Sequence, residues 1–432
     1  MEGWHIIYAL AVIQALYVLV RKNRSYVDFL SPSTISALTL LIWFYPKVPD
    51  LATKHFLISD SIFSFLIFWL LCQTALFLGT NSRLPSYLRG LAYDSYQDDN
   101  YQSWIFFMWL FFIIGGLAFY RYTKLPPEML YMRQPSGIIT ILTFFSTFLT
   151  IATIISAFVF LRTRRWILFI PLVIGITLYA DRILIHGKRS ELFEVMFLIA
   201  LIRIVFQRKR IPLVIGVGAA LIMFTFNAVV ADYRAVTKKV DPQIRQLYYI
   251  PIKTRLSQVM FEADYDIINA VATFKAYRSS KQFFELGADY WNVVVQRYIP
   301  GQIVGRNVKE SLRIRTGDAL WSELQYIPPE GTTTFVPGGI FRNFGWLGFL
   351  PLFIYGVFMR FLFLGARERS IGFLVLYAYF GAMIPVVMIF GIEWFWGAAI
   401  FWVPLIFWVM KIASGREKNR KLDKRDYVAA SN

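Results

Sequence analysis

The amino-acid sequence predicts an all-α polytopic membrane protein with about 11 transmembrane helices and one large helical external loop. Two observations predict this fold class. Of the 432 residues, 57% are hydrophobic and only 17% are charged, whereas soluble domains carry about 25% charged residues. Apolar runs of about 17–25 residues, the length needed to cross the hydrocarbon core, recur along most of the chain.

The apolar runs lie near residues 4–20, 30–46, 60–79, 104–120, 137–161, 166–180, 191–206, 211–231, 341–364, 371–390 and 392–410. They predict an N-terminal membrane domain of about eight spans in residues 1–231 and about three C-terminal spans in 341–410. Between them lies the external loop, 232–340, and after them a basic cytoplasmic tail, 411–432.

Lysine and arginine are unevenly shared between the predicted connections. With the C-terminus in the cytoplasm, the inner connections and the tail hold 20 cations and the short outer loops hold 8. Because cytoplasmic loops are enriched in Lys and Arg, this distribution predicts an N-terminus outside and a C-terminus inside. Much of the net charge of +18 is then a topology signal, and we expect contact with membrane lipid but no nucleic-acid partner.

Cysteine and histidine are too scarce and too scattered for several kinds of site. Cys72 is the one cysteine, which excludes a disulfide framework and a cysteine-based metal site. The three histidines lie in different segments, and no Walker pattern or HExxH motif is present. The sequence therefore predicts neither a metal nor a cofactor.

The external loop contains predicted helices of its own. From Lys253 to Arg278, apolar residues recur at steps of three and four, which predicts one amphipathic helix lying on the membrane domain. A second short helix is predicted in the segment DYWNVVVQRYIPG, and Pro300 and Gly301 mark its end.

The densest group of ionisable residues next to a span is DRILIHGKRSELFE, residues 181–194. It brings Arg182, His186, Lys188 and Arg189 together on the predicted outer side. Cations there oppose the positive-inside rule, so we expect them to bind a negatively charged ligand. For the carboxylates that follow, Glu191 and Glu194, the sequence favours a role at the positive end of a helix.

The external loop adds arginines, among them Arg297 and Arg306. A guanidinium fork binds two phosphate oxygens and keeps its charge, so clustered arginines on an outer face suit a diphosphate. Among the carboxylates, Glu323 lies between Trp321 and Tyr326, a setting that suits a base acting on a sugar hydroxyl. His186 is the alternative base.

Three features resemble the Wzy-type polymerases of O-antigen or oligosaccharide repeat units. They are the segment GKRSELFE at the start of a span, the single large outer loop, and FVPGGIFRNFGWLGFLP leading into the next span. The resemblance implies a metal-independent, GT-C-like glycosyltransferase of the bacterial cytoplasmic (inner) membrane. Undecaprenyl-diphosphate-linked oligosaccharide would be donor and acceptor, and a flippase and a chain-length regulator would be partners.

The resemblance also implies roles for particular residues. It singles out Arg189 for catalysis, and it also points to Arg297 and Arg306; Arg306 and Gly317 have the Arg-x10-Gly spacing of some members. Where the family commonly has an acidic residue before the nFGxxG element, this chain has Arg342, which we expect to join Arg182 and Lys188 at the diphosphate.

Two other functions are also compatible with the sequence. An O-antigen ligase shares the architecture and the lipid-linked donor, and only its product distinguishes it. A lipid-oligosaccharide flippase or another transporter would commonly show internal repeats and buried charge near the bilayer midplane. Here the unusual cations lie at the predicted outer edge and no repeat is evident.

Overall fold

The computed structural model describes residues 3–22, 25–54, 60–85, 100–125, 138–184, 189–237, 251–280, 284–299, 301–317, 319–329 and 332–430. Every regular element in these ranges is a helix. The all-α class predicted from the sequence is therefore confirmed for the described part of the chain.

Nine α-helices are described up to residue 237: α1 (Trp4–Lys22), α2 (Pro32–Thr39), α3 (Val48–Lys54), α4 (Ile62–Asn81), α5 (Tyr101–Thr123), α6 (Ile138–Thr163), α7 (Phe169–Leu184), α8 (Arg189–Leu201) and α9 (Leu213–Thr237). Single turns of π-helix, Leu40–Phe44 and Ile202–Phe206, continue α2 and α8. Single 3-10 turns, Tyr45–Lys47 and Trp166–Leu168, precede α3 and α7.

The remaining helices described are α10 (Ile252–Phe261), α11 (Tyr265–Ser279), α12 (Ala288–Tyr298), α13 (Gly301–Val304), α14 (Arg306–Ser311), α15 (Ala319–Leu324), α16 (Val336–Phe344), α17 (Phe349–Arg367), α18 (Ile371–Ala382), α19 (Ile384–Phe390) and α20 (Glu393–Ala430). A 3-10 turn, Gly345–Gly348, joins α16 to α17.

Eight helical segments of the described chain are long and apolar enough to cross a membrane: Trp4–Arg21, Ile62–Asn81, Tyr101–Thr123, Ile138–Thr163, Trp166–Leu184, Val336–Arg367, Ile371–Phe390 and Glu393–Ser414. A membrane-embedded helical protein is thereby supported. The other three predicted spans coincide with α2, α8 and α9. A membrane crossing by these three helices stays a prediction.

Missing side chains at glycines allow the long helices to approach closely. A Cβ added to Gly79 of α4 would lie 2.3 Å from the carbonyl oxygen of Phe353, and one added to Gly356 of α17 would lie 2.6 Å from that of Leu76. Small residues serve this purpose between membrane helices, where backbone contact replaces the hydrophobic drive available in water.

At one end of the bundle, charged residues bind the helices α10 and α11; we call this end the loop face. The Lys47 ammonium lies 2.6 Å from an Asp264 carboxylate oxygen, and Lys275 Nζ lies 2.9 Å from Asp60 Oδ1. At α9, the Arg255 guanidinium binds both oxygens of Asp232, at 2.7 and 2.9 Å. These contacts fasten α10 and α11 to the ends of three bundle segments.

At the opposite end, which we call the tail face, other helix ends meet. Arg162, near the end of α6, donates to the carbonyl oxygen of Arg369, just after α17, at 2.5 Å. Arg208, which follows the 202–206 turn, donates to the carbonyl oxygen of Arg367 at 2.7 Å. The Tyr26 hydroxyl donates to the carbonyl oxygen of Arg208 at 2.7 Å.

The single amphipathic helix predicted from Lys253 to Arg278 is wrong in one respect, because the segment forms two helices, α10 and α11. Asp264 begins the second helix, since its side chain accepts a hydrogen bond from the Ile267 N–H. The Ala263 N–H turns instead to Asp50 Oδ2 at 3.0 Å. The second short predicted helix is present as α12, which ends at Tyr298.

Candidate functional site

An apolar groove of about 490 Å³ lies between α5, α6 and α7. Its lining residues are Phe112, Gly116, Phe119, Tyr120, Thr123, Leu149, Ile174, Thr177 and Leu178. From Phe112 to Thr123 the helical rise of 1.5 Å per residue gives the groove a length of about 16 Å along α5. It extends to the end of α5 at Thr123.

Two adjacent glycines of α5 explain why the groove is open. A Cβ on Gly115 would lie 2.3 Å from the backbone nitrogen of Leu149, so this position brings α5 close to α6. A Cβ on Gly116 would have no atom within 4 Å. The Gly115–Gly116 pair therefore combines tight helix packing on one side with free volume on the other.

Arg182 lies at the head of the groove. A smaller cavity of about 20 Å³ shares Phe119, Leu149 and Leu178 with the groove and adds Tyr179 and Arg182 to its lining. The guanidinium carbon of Arg182 lies 5.2 Å from the centre of the Phe119 ring, within range of a cation–π contact. The apolar groove thus leads to the permanently charged guanidinium group of Arg182.

Two carboxylates of α8 face this arginine and its neighbour on α7. Arg182 Nη1 lies 3.6 Å from Glu191 Oε1, which is an ion pair but longer than a hydrogen bond. The Tyr179 hydroxyl donates to Glu194 Oε2 at 2.8 Å. Glu191 lies in the first turn of α8, where a carboxylate is favoured by the helix dipole. The two pairs join α7 to α8 beside the groove.

Most of the other predicted cations fall outside the described part of the chain. His186 and Lys188 lie between the end of α7 and the start of α8, among residues that are not described. The backbone of Arg189 begins α8, and those of Arg297 and Arg306 lie in α12 and α14, but their side chains are outside the described part. Of the cations predicted from the sequence, Arg182 is therefore the one whose described side chain lies next to the groove.

Arg342 has carboxylate partners within the fold. Its guanidinium donates to Asp289, and its Nε lies 3.4 Å from Glu285 Oε2. Asn343 also donates to Asp289, at 2.9 Å, and the Tyr277 hydroxyl donates to Glu285. Burial raises the pKa of the Glu285 carboxyl. With two acidic partners, Arg342 holds α12 against α16, and a diphosphate would have to displace one of them.

Glu323 lies on a different part of the molecule from the groove. It is exposed on the short helix α15, which packs against α11, whereas the groove is formed by α5, α6 and α7. Trp321 on the same helix is 51% exposed. The structure therefore does not unite the predicted base with Arg182.

No pattern in the sequence connects Glu285 and Asp289 with Arg342. Asp289 lies 53 positions before Arg342, and no periodicity connects residues so far apart. The hydrogen bond from Tyr179 to Glu194 was also not predictable from periodicity, because it depends on how α7 packs against α8. Comparison with protein-family models, with curated proteins and with solved structures finds no match to this chain.

Proposed function

We propose that this protein polymerises undecaprenyl-diphosphate-linked oligosaccharide repeat units into a surface polysaccharide by glycosyl transfer at the outer face of the bacterial cytoplasmic membrane. The observation that carries the proposal is the apolar groove that leads to Arg182. A polyprenyl diphosphate matches this arrangement, because it has an apolar chain for the groove and a negatively charged diphosphate for Arg182.

The apolar part of the groove suits a segment of polyprenyl chain. Phe112, Leu149, Ile174 and Leu178 supply hydrocarbon surface, and the open space at Gly116 admits a chain between the helices. At about 16 Å, the groove accommodates only part of a long polyprenyl chain, and the remainder would extend into lipid. Van der Waals contact with the lining would hold that part.

The charged end of the groove suits the diphosphate. The Phe119 ring holds one face of the Arg182 guanidinium, so the fork loses little freedom when it binds phosphate oxygens. The Glu191 contact at 3.6 Å is loose enough for a diphosphate to replace it. Oriented cations stabilise the negative charge that develops on the departing diphosphate, which is commonly the largest catalytic contribution.

Other sequence-based assignments belong to the same proposal. Lys188 and Arg189, which flank the start of α8, would add charge beside Arg182, with Arg297 and Arg306 approaching from the loop. His186 is the base proposed for the acceptor hydroxyl. Glu323, the other base predicted from the sequence, is exposed on α15 away from the groove and could act only on an acceptor that reaches that helix. The chain would cross the membrane eleven times, with the loop face outside and the tail face in the cytoplasm. A flippase would supply the substrate, and a chain-length regulator would limit the product.

Deleting the gene tests the proposal against its two rivals. Loss of a polymerase leaves single repeat units on the cell surface in place of a ladder. Loss of a ligase leaves a ladder on the lipid carrier and none on the surface core, and loss of a flippase traps single lipid-linked units in the inner leaflet. Restoration of the ladder by the wild-type gene completes the test, and either of the other two patterns would overturn the assignment.

A further inference from the structure

Three helical segments that end at the tail face are each followed by an arginine in the left-handed conformation. The φ angles are 54° at Arg164, 57° at Arg208 and 64° at Arg369. Among the described residues, the other non-glycine residues with positive φ are Leu286 and Gln325. Glycine, or sometimes asparagine, usually fills this position after a helix, because a side chain there is strained. Each of these three arginines therefore occupies a backbone conformation that is strained for a residue with a side chain.

Helix capping alone does not explain these three arginines. A cation near the carboxyl end of a helix is favoured by the helix dipole, but a Lys or Arg within the last turn obtains that benefit without a left-handed backbone. In α6, Arg162 already lies in the last turn, and in α17 so does Arg367. Arg164 and Arg369 therefore add charge beyond what the helix ends require.

The chain segments that carry these arginines are held together because the helix ends are bonded to each other. The hydrogen bond from Arg162 to the carbonyl oxygen of Arg369 brings the ends of α6 and α17 together, at 2.5 Å. The bond from Arg208 to the carbonyl oxygen of Arg367 adds the 202–206 turn, at 2.7 Å. The side chains of Arg164 and Arg369 are exposed at this junction.

An exposed apolar surface adjoins these cations. Trp166, two residues after Arg164, is 76% exposed, and its ring lies 6.3 Å from that of Phe160 and 5.8 Å from that of Phe169. Tryptophan at the end of a membrane helix is typical of the headgroup level, where an apolar ring meets water. The cations match the charged headgroup of a phospholipid, and the exposed aromatic rings beside them match its apolar part.

We propose that Arg164 and Arg369 bind the phosphodiester headgroup of an anionic phospholipid, with its glycerol and upper acyl chains against Trp166 and Phe169. Basic clusters between helix ends at a membrane surface recognise anionic headgroups in this way. The guanidinium forks bind phosphate oxygens in two-point geometry, which a zwitterionic lipid would satisfy less well because its own ammonium group competes. The site is separate from the groove at Arg182 and independent of the proposed function.

Thermal unfolding of the full-length protein in detergent tests this site. Phosphatidylglycerol should raise the Tm of the wild type more than the same amount of phosphatidylcholine does. In R164G/R369G, the Tm without added lipid should stay level or rise, because glycine removes the backbone strain. The rise specific to phosphatidylglycerol should fall by at least half. R164Q/R369Q keeps the strain, removes the charges and should lose the same response.

A matched control uses the other two strained positions. L286G/Q325G relieves the same kind of backbone strain away from the tail face, so it should keep the full response to phosphatidylglycerol. A further arm adds inorganic phosphate without lipid, which should give no comparable rise. A full phosphatidylglycerol response in both arginine variants, or an equal rise with inorganic phosphate alone, would overturn the proposal.

Discussion

The ammonium group of Lys47 is buried and lies 2.6 Å from the carboxylate of Asp264, although 217 positions separate the two residues. The two partners differ in exposure, at 2% for Lys47 and 36% for Asp264. The Trp43 ring lies 4.5 Å from the same ammonium. This ion pair connects the turn after α2 to the start of α11. Removing either partner therefore tests how strongly α11 is held against the bundle.

The difference in exposure predicts unequal effects of removing either partner. D264N keeps the cap on α11, because asparagine caps helices as well as aspartate does, but it leaves a buried ammonium without its counter-ion. We expect a loss of about 3 kcal/mol in the free energy of unfolding. K47M leaves a carboxylate that water can reach, with a loss of about 1 kcal/mol. Thermal unfolding in detergent measures both, and equal losses would contradict this explanation.

Filling the groove should block polymerisation without disturbing the fold. G116L places a side chain in the open space between α5, α6 and α7, where an added Cβ meets no atom within 4 Å. Leucine also favours the helix over glycine by about 1 kcal/mol. The polysaccharide ladder should shorten or disappear while the amount of protein in the membrane stays normal. G216L is the control, because Gly216 of α9 also has open space around it but lies outside the groove. A normal ladder with G116L would remove the groove from the mechanism.

Arg182 should be required for rate and dispensable for folding. R182A removes the fork and should lower the rate of polymerisation by about 100-fold, as loss of one oriented charge does in other enzymes. R182K keeps the charge but loses the fork, so its activity should be intermediate. R313A is the control. Arg313 forms an exposed ion pair with Glu310, so this variant should keep nearly all of the polymerisation rate. If R182A instead lowers protein abundance and R182K restores it, Arg182 is structural.

Arg342 should behave in the opposite way. R342Q leaves Asp289 and Glu285 without their counter-ion and should reduce the free energy of unfolding by about 3 kcal/mol. Adding D289N removes one of the two stranded charges and should recover part of the loss. Membrane abundance and Tm report both effects. An R342Q protein of normal stability that no longer polymerises would instead support the diphosphate role predicted from the sequence.

Hydropathy made the membrane helices predictable, because the length of an apolar run is a local property of the sequence. The break before α11 was not predictable from periodicity, since apolar residues keep their helical spacing on both sides of Asp264. Capping decides that break, and the cap depends on one side chain. Arg182 was predictable as part of a basic segment, but its position over Phe119 depends on how α5 meets α7.

The most direct test of the proposed activity uses purified protein and the lipid-linked repeat units that accumulate when the gene is deleted. Wild-type protein in vesicles should convert these units into a ladder of longer lipid-linked chains without added metal, and G116L and R182A should do so far more slowly. G216L should match the wild type. Failure of the folded wild-type protein to lengthen the chains, or equal rates for all four proteins, would contradict the proposal that the groove and Arg182 hold the substrate.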